Sequence, residues 1–120
     1  MANFPEFLAL ANEVVDMRTA AALEENGQPL RIYFNGPTDQ LKAMIAGNLL
    51  LDPGMSPHPP HQHPEEEFML VTQGTGEIFV DGKTCQVGPG SMMYCAGNRM
   101  HAIKNTGPDK MLFYFWKWLA

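Results

Sequence analysis

GMSPHPPHQHPEEEFMLVTQG, residues Gly54–Gly74, gathers three of the chain's four histidines and three consecutive glutamates into 21 positions. His61 and His63 are one residue apart, Glu67 follows four after His63, and the remaining histidine, His101, comes much later. On extended chain alternate side chains share a face, so His61 and His63 stand side by side, about 6–7 Å apart. Two imidazoles can then meet one cation. Glu67 has the same parity, yet an unbroken strand would hold it about 13 Å from His63, so a bend near Pro64 to Glu66 has to bring it back. Proline suits that bend because it cannot donate to a ladder and sits at edges, bulges and strand starts; Pro57, Pro59, Pro60 and Pro64 punctuate the run. A mixed imidazole and carboxylate set suits Mn, Fe, Co, Ni, Cu or Zn, and affinity alone does not choose among them.

Around this stretch, 120 residues are enough for one domain with a single core. The net charge is -5 and the eight basic residues are scattered, which gives no phosphate-neutralising footprint and predicts no nucleic-acid partner. Eleven glycines and ten prolines argue for many turns, and 45% apolar content argues against disorder. Cys85 and Cys95 are not in a CxxC spacing and read as interior thiols. The start, MANFPEFLALANEVVDMR, has no basic residue before Arg18 and so lacks the charged region of a secretory signal; the expectation is a cytoplasmic protein. No apolar run approaches the ~20 residues of a membrane span, so no membrane partner is expected.

Two regions differ in pattern. Residues 1–40 read as an N-terminal arm with the first strand or strands. Phe7, Leu10, Ala11, Val14 and Val15 fit a helical stripe, while Glu13 to Met17 would also serve as an edge strand. Thr19 to Asn26 reads as a short helix with Thr19 as cap and Gly27 just past its end, and Leu30 to Phe34 as a strand. Residues 41–120 read as a barrel of short strands: Lys42 to Leu51, Phe68 to Thr72, Glu77 to Val80, Lys83 to Val87, Ser91 to Cys95, Met100 to Lys104 and Met111 to Leu119. Asp81-Gly82 is the strongest hairpin signal. The fold class is all-β, a sandwich, barrel or jelly roll.

The histidine stretch resembles the first motif of the cupin superfamily: His61-Gln62-His63, three residues, Glu67, six residues, Gly74. Gly54 sits one residue further from the HxH than that pattern asks. The second motif is matched by Gly90, SMMYC, Ala96-Gly97-Asn98, Arg99-Met100, His101, three residues, and Asn105. Ala96 and Asn98 stand where the pattern has Pro and Gly, and Asn tolerates a positive φ better than most residues. The resemblance implies a single-domain antiparallel jelly-roll barrel with one divalent transition metal held by His61, His63, Glu67 and His101, one or two positions being left for water or substrate.

Other residues have weaker claims. His58, three before the pair, reads as a mouth or surface residue. Glu65 and Glu66 read as rim residues, with Glu65 a candidate acid or base. Tyr94 and Arg99 are candidates to donate a proton or orient an anion. Met69, Val71, Phe79, Met93 and Ile103 are candidate pocket residues, or simply core. In the C-terminal run, Met111, Phe113 and Phe115 share one face and Leu112, Tyr114, Trp116 and Trp118 the other. Apolar residues on both faces predict cover from the arm or from a second copy, a homodimer. Three neutral imidazoles and one carboxylate leave a divalent site net positive, which favours an anionic oxygen ligand. The expected function is a metal-dependent enzyme on a small carboxylate or carbonyl substrate, of dioxygenase, isomerase, lyase or aminohydrolase type. The alternative is a non-catalytic module that binds a small acid or sugar.

Overall fold

The computed structural model describes residues 4–120; the first three residues of the expected arm lie outside them. Nine strands follow in order: β1 Ala21–Glu25, β2 Gln28–Gly36, β3 Ala43–Leu51, β4 Glu66–Gln73, β5 Gly76–Val80, β6 Lys83–Val87, β7 Met92–Cys95, β8 His101–Lys104 and β9 Met111–Leu119. All pairings are antiparallel. A six-stranded sheet runs β1-β2-β3-β9-β4-β7, and a three-stranded sheet runs β6-β5-β8. The period-2 burial of β4, β7, β8 and β9 sends one face of each into a shared interior, as expected of sheets with one buried face. That interior is built from Leu49, Leu51, Val71, Ile78, Ile103, Met111 and Phe113, with their neighbours. Met93, Cys95 and Ile32 complete it.

The arm departs from its expected form, since no helix occurs among the described residues. The expected helix over Thr19 to Asn26 is strand β1. Asn26 and Gly27 both have positive φ, 50° and 74°, the two-residue hairpin geometry whose twist matches flanking strands, and they pair Glu25 with Gln28. The cap expected at Thr19 is Asp16 instead, and it closes a turn: its Oδ1 accepts from the Arg18 and Thr19 amides at 2.8 and 3.0 Å. Helix-forming alanines and glutamates are overruled by ladder partners on β2. Residues 4–18 form neither the helical stripe nor the edge strand: they run along the sheet irregularly, tied by the Leu8 amide to the Asn35 carbonyl (3.4 Å) and the Leu10 amide to Pro37 (3.0 Å).

Asp81 and Gly82, at φ 46° and 85°, form the expected hairpin between β5 and β6. Asn105, fully buried, donates to the carbonyls of Leu51 and Asp109 and accepts from the Gly107 amide, so the last residue of the second motif is a loop organiser. Of the two thiols, Cys95 is buried and Cys85 is exposed. The interior reading fails for Cys85 because β6 is a sheet edge with four of its five residues exposed.

Candidate metal centre

The HxH segment is extended but belongs to no sheet. His61 forms an isolated bridge with His101: its amide donates to the His101 carbonyl at 3.2 Å, and its carbonyl accepts from the His101 amide at 2.9 Å. Beyond it the chain bends at Pro64 and Glu65 and enters β4, whose second residue is Glu67. The bend is clasped from the second motif. The Asn98 amide donates to the His63 carbonyl at 2.7 Å, and Gly97 lies so close to Pro64 that a β-carbon there would sit 2.4 Å from the Pro64 carbonyl oxygen. Asn98 has φ 59°, the left-handed conformation that the expected glycine would supply.

The result is four converging donors. Glu67 Oε1 is 3.0 Å from both His63 Nε2 and His101 Nε2, and His61 Nε2 is 3.2 Å from His101 Nε2. The three histidine donors all lie within 4.8 Å of one another. Behind them, His63 Nδ1 donates to the Glu65 carbonyl and His101 Nδ1 to the Arg99 carbonyl, each at 3.0 Å. Both Nε2 lone pairs are thereby aimed inward, the usual backing of metal-bound histidine. Donors about 2.1 Å from a shared ion and at right angles stand about 3.0 Å apart, so the three contacts of 3.0–3.2 Å match edges of one coordination shell.

Electrostatics agree with that reading. Burial raises the Glu67 carboxyl, which is only 3% exposed, but hydrogen bonds from His101 and His63 outweigh it and hold its pKa down to about 2. Burial, followed by the nearby His58, His101 and His63, lowers His61 to about 4, so its ring is neutral at pH 7 and free to ligate. For His101 burial opposes the charged form, yet the Glu67 hydrogen bond and the Arg99 carbonyl together raise its pKa. A proton shared with Glu67 satisfies that pair, and an ion has to displace it.

Beside the donors is a cavity of about 70 Å³, walled by His58, His61, Glu67, Met69, Phe113, Phe115, Glu25 and Lys117. A water occupies about 30 Å³ in the liquid, so the space suits a ligand of only a few heavy atoms. His58 stacks on His61, ring centroids 3.7 Å apart; its Nδ1 donates to the Pro59 carbonyl at 2.8 Å, which leaves Nε2 as an acceptor.

Other anticipated residues fall elsewhere. Tyr94 is not at the cavity: alternation along β7 turns it outward, 51% exposed, where it donates to Glu66 Oε1 at 2.6 Å. Glu65 lies on the far side of the His63 ring from Glu67, its carboxylate 3.5 Å from Nδ1, so it does not meet a ligand in the cavity; its backbone carbonyl is what orients His63. Arg99 is at the surface, 3.9 Å from Asp81. Met69 walls the cavity. Met93, Ile103 and Val71 are core. Phe79 has the opposite parity to Ile78 and lines a separate groove outside the three-stranded sheet. Glu25 and Lys117 are wall residues that pattern reading passed over. The signal for Lys117 was its parity with Met111, Phe113 and Phe115, which puts a lysine on the inward face of β9.

Residues 48–117 match the Cupin domain family, and the chain belongs to it. Among characterised proteins it is similar to the dimethylsulfoniopropionate lyase DddW of Ruegeria pomeroyi, 28% identical over 85 residues, which are 71% of this chain and 55% of the lyase. The chain thus spans about half the length of that relative. Its fold is similar to that of KdgF from Halomonas sp. (TM-score 0.73, 20% identity, 89% of this chain and 94% of the other). It also resembles a cupin 2 conserved barrel domain protein from Salinispora arenicola (0.70, 21%, 92% of each chain) and a predicted oxalate decarboxylase from Thermotoga maritima (0.72, 18%, 90% and 100%).

Proposed function

We propose that this protein is a metal-dependent enzyme that acts on a small carboxylate, of lyase type. The observation that carries the reading is the convergence of His61, His63, Glu67 and His101 at 3.0–3.2 Å contacts beside a small cavity. A divalent ion held there supplies a Lewis acid that stabilises negative charge on a substrate oxygen. The wall apolar groups Met69, Phe113 and Phe115 exclude water and strengthen every electrostatic contact inside. His58 presents the one wall imidazole outside the donor set, with its Nε2 lone pair free to accept a proton from substrate. The similarity to a lyase whose substrate is a propionate supports the reaction class.

A second reading, capture of a small acid without turnover, is favoured by the position of Tyr94 and Glu65, neither of which walls the cavity. Protein purified without chelator, analysed for metal and incubated with a panel of small acids that includes dimethylsulfoniopropionate, separates the two. Consumption of an acid followed by proton NMR supports the enzyme; saturable binding of an acid with none consumed supports the binding module.

The outer face of the six-stranded sheet bears a groove walled by Tyr33, Phe34, Ala46, Leu70, Tyr114 and Trp116, with no charged side chain in its lining, and Phe68 packs at a tilt against Trp116 and Trp118 nearby. We take a second copy of the chain as its partner: an apolar, uncharged sheet face of this kind matches the core of a self-complementary interface.

A further inference from the structure

We propose that Lys117 is the residue that anchors the substrate's carboxylate, a reading that rests on the metal-dependent, acid-binding function above. Three observations lead to it. First, β9 sends Met111, Phe113 and Phe115 into the core, and Lys117 continues that row, so the chain spends an inward position on a cation where another apolar residue would extend the core. Second, Lys117 is the direct ladder partner of Glu67, which places it next to the donor set on the inner face of the barrel. Its ammonium lies over the Phe115 ring, 5.6 Å from the centroid, and both residues wall the cavity. Third, among the described residues no ion pair within 4.0 Å and no side-chain hydrogen bond engages that ammonium, although its charge is felt by Glu67, whose carboxyl it helps to depress.

A half-buried lysine with unspent donors beside a cationic centre is costly unless something negative joins it. Glu25, which also walls the cavity, offsets part of the charge but forms no ion pair with it among the described residues. An acid of two or three carbons fits the cavity and supplies what is missing: one oxygen for the metal and a carboxylate for the ammonium. Lysine meets a carboxylate as a point charge on a flexible stem, so selection would be by charge and length more than by a fixed fork geometry. Neutral analogues of the same shape would be rejected because the ammonium would lose water with no anion in return.

The test uses metal-loaded protein and malonate, a three-carbon dicarboxylate, titrated calorimetrically with metal content measured on the same samples. Lys117→Met keeps the stem over Phe115 and removes the charge; Lys117→Arg keeps the charge; Lys110→Met removes a surface lysine near Asp52 and controls for net charge. Malonate affinity is expected to fall about 10-fold or more in Lys117→Met, the loss of one charge-assisted hydrogen bond, with metal content unchanged. Lys117→Arg should retain most of the affinity and Lys110→Met all of it. Equal malonate binding by wild type and Lys117→Met overturns the role of Lys117 and leaves the acid-binding function standing. Loss of metal in Lys117→Met makes the residue a support of the metal centre and also overturns the proposal. If malonate binds none of the four proteins, the acid-binding function fails and the anchor fails with it.

Discussion

The Nε2 atoms of His61 and His101 lie 3.2 Å apart although the residues are 40 positions apart in sequence, and their backbones are bonded to each other in both directions. The loop histidine and the β8 histidine are thus registered by main chain before any ion arrives, which spares a metal the entropy of gathering them.

His101 is the donor from the three-stranded sheet and is 1% exposed. His101→Ala should reduce metal affinity at least about 100-fold, exceeding the about 10–100-fold cost of losing a partner behind a ligand. Full metal occupancy by elemental analysis would dismiss its role.

Glu67 and Glu65 should separate cleanly. Glu67→Gln removes the carboxylate that touches both His63 and His101 and should weaken metal binding. Glu65→Gln keeps the carbonyl that orients His63 and should leave metal content as it is. Equal metal content in both variants would count against the assignment of Glu67.

Acidification should release metal in two stages. His101, raised above its ordinary value of 6.5, holds a proton that metal must displace, so affinity should climb by up to about tenfold per pH unit until that pKa is passed. Below about 4, His61 also takes a proton and the fall should steepen, while Glu67, at about 2, stays ionised. For the metal-free protein the signs differ by residue. The Glu67 contribution is present above 4.5 and lost as pH falls towards about 2, and His61, which binds its proton more weakly folded than unfolded, removes stability as pH falls from 6.5 to about 4. The His101 contribution is present below 6.5 and lost as pH rises through its raised value. A metal affinity that does not change between pH 5 and 8 would contradict the scheme.

Gly97→Ala places a methyl 2.4 Å from the Pro64 oxygen. The backbone must yield there, so a loss of about 1–3 kcal/mol is expected, read as a lower Tm, together with weaker metal binding as His63 shifts. Gly27→Ala meets nothing within 4 Å and should cost only its backbone strain, with metal binding unchanged.

Light scattering should report twice the monomer mass at micromolar concentration, and Trp116→Lys on the outer face of β9 should shift it towards monomer. A wild-type protein that is monomeric across that range would end the dimer reading.

Most of the barrel was legible because its strands alternate and end at glycine and proline, and the donor set was legible because HxH and Glu67 are close in sequence. Beyond Cys85 and residues 4–18 of the arm, local chemistry misled elsewhere too. Thr19 to Asn26 has helical composition, and only the Asn26-Gly27 pair, the same kind of hairpin signal credited at Asp81-Gly82, gives β1 away. Tyr94 follows the strand parity of Met92, not that of Met93 and Cys95, so its outward direction was there to be read once β7 was placed. Phe79 was assigned to the pocket by hydrophobicity when its pairing with Ala102 puts it outside. Glu25 needed the assembled barrel, since no local pattern joins β1 to a loop at residue 58, whereas the parity of Lys117 on β9 was readable and only its place beside Glu67 needed the ladder.

The corner at Gly97 and Asn98 explains how the second motif can lose two of its usual letters and still do its job. What the corner delivers to its neighbours is a main-chain amide and a vacant volume, both properties of backbone shape. Searches keyed to residue identity at that corner would discard proteins like this one; searches keyed to left-handed dihedrals there would retain them.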